Sequence, residues 1–278
     1  VFSPYYALSR RFGAGDPLQH CALNVALYGD TRAWAMTERG SAAVCRTATE
    51  LAIGPSALRW DGDSLRIDIA ERTLPFGRRL RGTVRVRPEA LTGRSYALDV
   101  ECRHRWSPLA PRANVEVALE QPALRWSGPG YLDSNGGEVP LEDSFSHWSW
   151  SRTTLGDGSA VLYDVTQHAH PGAMLALHID RHGAVRDLPP PPRHALPRTA
   201  LWRVARDTRA APGAAHVTRT LEDTPFYARS VIESQLLGQR VTAMHESLSL
   251  RRFRQPVVQS MLAFRMPRSG AKFAHNAV

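Results

Sequence analysis

Three short groups in this 278-residue chain carry side chains that can move protons: His104-Arg-Trp106, Tyr131-Leu-Asp133 and His147-Trp-Ser-Trp150. In the first two, a spacing of two on an extended strand turns a polar or ionisable group and an aromatic to the same face. Two such strands lining one cavity would gather an acid, a histidine and aromatic walls. A carboxylic acid kept neutral by burial can protonate a carbon–carbon double bond. Aromatic faces, negative at the quadrupole, stabilise the cation that results. That set suits proton-initiated chemistry on an apolar substrate. Each pattern also has a plainer reading. His104 with Trp106 fits an ordinary barrel-interior pair, and Tyr131 with Asp133 fits a hairpin end with solvated carboxylates.

Other chemistries lack their signatures. There is no glycine-rich phosphate loop with a lysine, no dinucleotide fingerprint and no Gly-x-Ser-x-Gly elbow. His168 and His170 would share a strand face, but no cysteine or carboxylate completes a metal set, so they read as surface or loop histidines. Cys21, Cys45 and Cys102 are odd in number, widely spaced and set among apolar residues. They argue against a disulfide framework or a zinc site, and for a reducing compartment. The formal net charge is +9, with arginine far exceeding lysine. The arginines are scattered, as in Arg81-Gly-Thr-Val-Arg-Val-Arg87, and form no tail of like charge. No RNA-binding aromatic signature accompanies them, so nucleic acid is not the expected partner. A weak attraction to anionic lipid headgroups follows from the same charge. No apolar run approaches the ~20 residues that span a bilayer. The first residue is Val1 and not methionine, so a fragment or a processed product is expected.

The elements that must position these groups are strands. Ser64–Ile69 and Leu80–Arg87 alternate apolar and polar residues, the mark of half-buried antiparallel strands. His20–Tyr28 and Trp34–Arg39 flank Gly29-Asp30 and predict a hairpin. The same rhythm continues through 114–119, 160–165, 174–179, 201–206, 216–221, 231–237 and 241–250. Short strands with almost no helical periodicity predict an all-β antiparallel sandwich or barrel. Residues 2–6 read as an extended arm, and 256–266 as a helix or a strand. Pro189–Pro192 is stiff and reads as a domain boundary or a surface crossing, giving units 1–187 and 188–278. The Gly128–Gly137 segment is dense in turn residues. Its backbone must bend sharply or approach another group closely.

The stretches FSPYYALSRR, DPLQHCALNVALYGD, WAMTERG, LAIGPSALRWDGDSLRIDI, GYLDSNGGEVPLEDSFSHWSWSR, VLYDVT, LEDTPFYARS and HESLSLRRFRQPVVQSMLAFRMPR together carry a resemblance over nearly the whole chain. In this order they resemble the carotenoid 1,2-hydratase family, also called hydroxyneurosporene synthase. The resemblance implies two lipocalin-like antiparallel β-barrel domains, with part of the family's N-terminal region absent here. It implies addition of water across the terminal C1–C2 double bond of acyclic carotenoids such as neurosporene and lycopene, giving tertiary alcohols without a cofactor or metal. The family's implicated residues carry over as His104, Trp106, Tyr131 and Asp133. By analogy to squalene cyclases, Asp133 would protonate C2, Trp106 and Tyr131 would face the cation at C1, and His104 would orient Asp133 or the attacking water. Asn135, on the same face if the strand continues, would hold the carboxyl. Trp148 and Trp150 would contact substrate. The expected setting is cytoplasmic, in peripheral contact with the photosynthetic membrane that holds the substrate. Two other classes stay open: a non-catalytic lipocalin-like carrier of apolar ligands, and a peripheral membrane protein whose basic surface is its function.

Overall fold

The computed structural model describes residues 2–13 and 15–270. The chain opens with α1 (Pro4–Arg11), β1 (Cys21–Tyr28), β2 (Arg32–Arg39), β3 (Val44–Arg46), β4 (Glu50–Ile53), β5 (Ser56–Asp61), β6 (Ser64–Arg72) and β7 (Arg79–Pro88). Then come β8 (Tyr96–Ala97), β9 (His104–Gln121), β10 (Leu124–Gly137), α2 (Leu141–Ser144), β11 (Phe145–Leu155), β12 (Gly158–Gln167), β13 (Ala173–Asp180) and β14 (Val185–Asp187). The rest is β15 (Arg193–Leu196), β16 (Arg206–Arg209), β17 (His216–Asp223), β18 (Tyr227–Leu236), β19 (Gln239–Ser249), α3 (Leu250–Phe253), α4 (Pro256–Arg265) and β20 (Arg268–Ser269). The framework is all-β, as the alternating segments predict.

Two compact units share these strands. The first holds residues up to Pro88, Asn114–Gly130 and the chain from Gln259 onward; the second holds Glu89–Ala113 and Tyr131–Val258. This division differs from the expected boundary at 187/188. Pro189–Pro192 lies inside the second unit, between β14 and β15. Its neighbour Leu188 is buried in a cluster with Leu162, Ala176 and Leu236, so the stiff segment starts from a core anchor and not from a linker.

In the first unit the predicted hairpin forms, from Cys21↔Arg39 to Tyr28↔Arg32. β20 then pairs with β2 in parallel. β3 to β7 follow one another in an antiparallel meander, and β9 lies next to β7. The alternating apolar residues of β6, β7 and β9 meet in one core of Ile69, Leu80, Val117 and Leu119. The N-terminal segment is a helix and not an extended arm. The Ser3 side chain accepts from the Tyr6 N–H at 3.0 Å, and Pro4 occupies the first turn. Ser-Pro before an aromatic run is a helix start signal. Residues 256–265 resolve to helix.

The second unit is built on a seven-stranded sheet in the order β14-β13-β12-β11-β19-β18-β17. Its long hairpins β11–β12 and β18–β19 lie side by side through the β11–β19 pairing. Residues 104–113 of β9 and 131–137 of β10 belong to this unit, and bring with them the two groups spaced by two. The three cysteines are free; Cys45 and Cys102 are exposed and not packed in apolar surroundings.

Candidate active site

Asp133 is the centre of the arrangement. Its Oδ2 accepts from the Trp106 Nε1–H at 2.7 Å and from the Tyr131 hydroxyl at 3.1 Å. Trp106 comes from β9 with its side chain wholly buried, at 0% exposure. Strand alternation explains the placement: His104 and Trp106 are buried on one face of β9 while Arg105 between them is exposed. Burial pushes the Asp133 carboxyl above the usual carboxylate range; the Trp106 and Tyr131 donors pull the other way, and the Glu246 charge adds to the rise. Burial and Asp133 together push the Tyr131 phenol up as well, so it stays a donor. Both side-chain donors engage Oδ2, which leaves Oδ1 as the oxygen to carry a proton.

The sheet of the second unit supplies the aromatic surroundings. One cross-strand row runs Tyr163, Trp150, Glu246, Arg229 over β12, β11, β19 and β18. Residues directly opposite on neighbouring strands share a face. Trp148 and Arg152 flank Trp150 on that face, two residues either side. The Tyr131 ring lies 5.5 Å from Trp150, and the Trp106 ring meets Tyr163 edge-on at 5.6 Å. Trp148 meets Tyr163 edge-on at 6.1 Å, and the Tyr96 ring lies tilted at 5.9 Å from Trp106. The Arg152 guanidinium sits 5.4 Å from the Tyr131 ring and donates to the Pro111 carbonyl at 2.7 Å. Glu246 is paired with Arg229 at 2.5 Å. Tyr163, Glu246, Arg229 and Arg152 were not singled out from sequence. Their membership depends on the register of strands far apart in the chain, for which a single sequence holds no local signal.

His104 stands apart from the carboxyl. It is 1% exposed, and its ring nitrogens face Asp99 Oδ2 and the Val139 carbonyl, each at 3.0 Å. Both ring nitrogens are therefore engaged by oxygen atoms, and neither is left to face Asp133. Asp99 also accepts from the His104 backbone N–H at 3.0 Å. Burial raises the Asp99 carboxyl, but the His104 hydrogen bonds outweigh it and hold the group below its ordinary value. The Phe145 ring meets the imidazole edge-on at 4.8 Å. Gly137 explains part of the glycine-rich stretch: a Cβ there would lie 2.8 Å from the His104 ring carbon Cδ2. His104 therefore bridges the segments flanking β9 and β10 and does not hydrogen-bond Asp133. Asn135 is exposed and makes no hydrogen bond to the carboxyl, because β10 is solvated beyond Asp133.

The opposite face of the same sheet is polar and buried. His245 is fully buried between Ser149, at 3.2 Å, and the Asp207 carbonyl, at 2.7 Å. Burial pushes its pKa down to about 4, so it is neutral. Its partners make it a strut under β16 and not part of the aromatic site.

Residues 1–274 match the family described as carotenoid hydratase CrtC. An acyclic carotenoid 1,2-hydratase of Thiocapsa roseopersicina is 56% identical over 272 residues, covering 97% of this chain and 67% of that protein. One of Rubrivivax gelatinosus is 48% identical over 273 residues, covering 96% and 67%. Among solved structures, one designated AttH from Nitrosomonas europaea superposes with a TM-score of 0.52 at 12% identity, covering 79% of this chain and 76% of that one. At that identity it speaks for a lipocalin-like β fold alone.

Proposed function

The chain belongs to the carotenoid hydratase family, and on that premise we propose that it is a hydro-lyase adding water across the C1–C2 double bond of acyclic carotenoids. The observation that carries the reading is the Asp133 carboxyl, raised by burial yet held by two donors. Burial favours the protonated form of the acid. The Trp106 and Tyr131 donors stabilise the carboxylate left behind once the proton has moved. Asp133 protonates C2 from Oδ1, and positive charge develops at the tertiary carbon C1. The Tyr131 and Trp150 rings, with Trp148 beside them, offer π faces to that cation and apolar contact to the chain of the substrate. Water adds to C1, one proton leaves it, and the acid is restored. The sum is alkene plus water giving a tertiary alcohol. No electrons are exchanged, so the balance calls for no oxidant, reductant or redox cofactor. His104 acts on this chemistry as a positioning residue, fixing the ends of β9 and β10 that present Trp106 and Asp133.

An apolar substrate of this kind resides in a membrane, and a feature of the first unit supports peripheral contact there. The loop between β6 and β7 exposes Leu74 and Phe76, the latter at 79%. Arg78 lies over the Phe76 ring at 5.7 Å. The loop borders a cavity of about 640 Å³ that Trp34, Arg79 and Arg265 also line. No helix among the described residues is long and apolar enough to cross a membrane. Apolar tips flanked by arginine suit an anionic lipid surface, reached from the cytoplasmic side on this reading.

The test is incubation of the chain with lycopene or neurosporene in detergent or membranes, with chromatography and mass detection. Wild type should yield a product heavier by one water, and Asp133→Asn should lose at least about 10²-fold in rate. No hydrated product from the wild type, or parental turnover by Asp133→Asn, would overturn the reading.

A further inference from the structure

The water that captures C1 must lose a proton. Asp133, a carboxylate once it has protonated C2, can take that proton only from its own face of the double bond; addition from the opposite face needs a second acceptor. Most groups around the carboxyl are unsuited to take it. Tyr131 donates to Asp133, and its phenol is pushed up. The Tyr163 phenol is pushed up too, by burial first and then by Asp133 and Glu246. Arg152 is cationic, and both His104 nitrogens are engaged by acceptors. Among the described residues that face Asp133 from the sheet, Glu246 is the carboxylate.

Its neighbourhood is built for a water molecule. Glu246 lies directly across from Trp150 in the β11–β19 register. The Trp150 ring touches Tyr131, which touches Asp133. Arg229 engages Glu246 Oε1, which leaves Oε2. The Trp150 Nε1–H is buried and has no acceptor among the described residues. A buried donor without a partner is unfavourable, so an N–H kept there calls for an oxygen that arrives with the reaction. A water accepting from Trp150 and donating to Oε2 would satisfy both.

We infer that Glu246 and Trp150 form the subsite for the attacking water, with Glu246 as the general base. This rests on the hydratase reading above. In the step, the water oxygen forms its bond to C1, one O–H bond breaks, and that proton goes to Glu246 Oε2. It then returns through solvent to Asp133, so atoms and charge balance over the cycle. Trp150 holds the water by its N–H while its ring faces Tyr131.

The experiment separates protonation from capture. Wild type, Glu246→Gln and Trp150→Phe are each incubated with lycopene in D2O, and both the hydrated product and the recovered alkene are analysed. Protonation without capture sends the cation back to alkene, carrying deuterium at C2 or in the C1 methyl groups. Glu246→Gln should lose hydration by about 10²-fold while deuterium still enters the alkene. Trp150→Phe keeps a ring against Tyr131 and should shift the partition the same way; it decides the matter if Glu246→Gln fails to fold by circular dichroism. Parental hydration in both variants would overturn the assignment. So would a folded variant in which hydration and deuterium uptake fall together, since that places the residue in the protonation step. A wild type that neither hydrates nor exchanges would instead sink the hydratase reading itself.

Discussion

Replacing His104 by alanine tests whether this residue acts on the fold of the site or on the reacting atoms. The change strips Asp99, 3% exposed, of its buried partner at 3.0 Å, and leaves the Val139 carbonyl without its donor. Breaking a buried pair from one side costs about 3–5 kcal/mol. For a cooperative unit of this size each kcal/mol lowers Tm by roughly 2–4 °C, so the drop should be about 6–20 °C at neutral pH. The pH dependence has a definite sign. The Asp99 carboxyl is held below its ordinary value in the fold. Its stabilisation is therefore complete above the unfolded value of ~3.9 and is lost as pH falls through the folded value. In the variant Asp99 keeps the backbone N–H of residue 104 and the Arg103 charge but loses the imidazole, so acid removes a smaller favourable contribution. The gap in Tm between parent and variant should narrow below about pH 4. Thermal unfolding followed by circular dichroism at neutral and acid pH measures both effects. A variant with the parental Tm and no hydration activity would refute the reasoning and move His104 to the reacting atoms.

Other changes have equally definite outcomes. Asp133 titrates above its ordinary value in the fold, so its stability contribution is greatest in acid and falls as pH rises through that raised value. Asp133→Asn should accordingly raise Tm at neutral pH and lose that advantage in acid; a lower Tm at neutral pH would contradict burial as the cause. Trp106→Phe removes a donor that lowers the Asp133 carboxyl. The alkaline limb of the pH–rate profile should move to higher pH. The plateau should fall by at most about 10²-fold, the worth of one charge-assisted hydrogen bond at ~1.5–3 kcal/mol. An unmoved limb would mean that the indole N–H does not set the acid. Phe76→Ser should weaken sedimentation with anionic vesicles by about 10-fold or more, given ~1.5–3 kcal/mol for burying a phenylalanine. Unchanged binding, or binding indifferent to salt, would exclude this loop as the contact.

The legible parts of the sequence were local. The alternation of Ser64–Ile69 and Leu80–Arg87 anticipates β6 and β7, because a period of two follows directly from the pleat. Spacing alone put His104 with Trp106, and Tyr131 with Asp133, on common faces. Spacing could not reveal that Asp99 occupies His104, since the four intervening positions turn through a loop of no fixed period. The Trp150–Glu246 juxtaposition was illegible for a different reason: it joins residues almost a hundred positions apart through a register that only the assembled sheet defines. The helix at Pro4–Arg11 was legible and missed, for Ser3-Pro4 is a capping signal. Pro189, Pro190 and Pro192 are exposed, in keeping with the surface crossing that was one of the segment's two readings.

The parallel pairing of β2 with β20 has a consequence for how the chain is made. Glu38 on β2 is completely buried; its Oε1 is held by His20 and Arg268 and its Oε2 by the Ser3 hydroxyl. Arg268 leaves the ribosome some 230 residues after Glu38 does. Until it emerges, that carboxylate lacks its guanidinium and β2 has no third strand beside it. The first unit is thus begun first and closed last, while the seven strands of the second can all pair before translation reaches β20. An N-terminal piece ending at residue 187 would lack the Arg268 partner of Glu38 and the third strand beside β2.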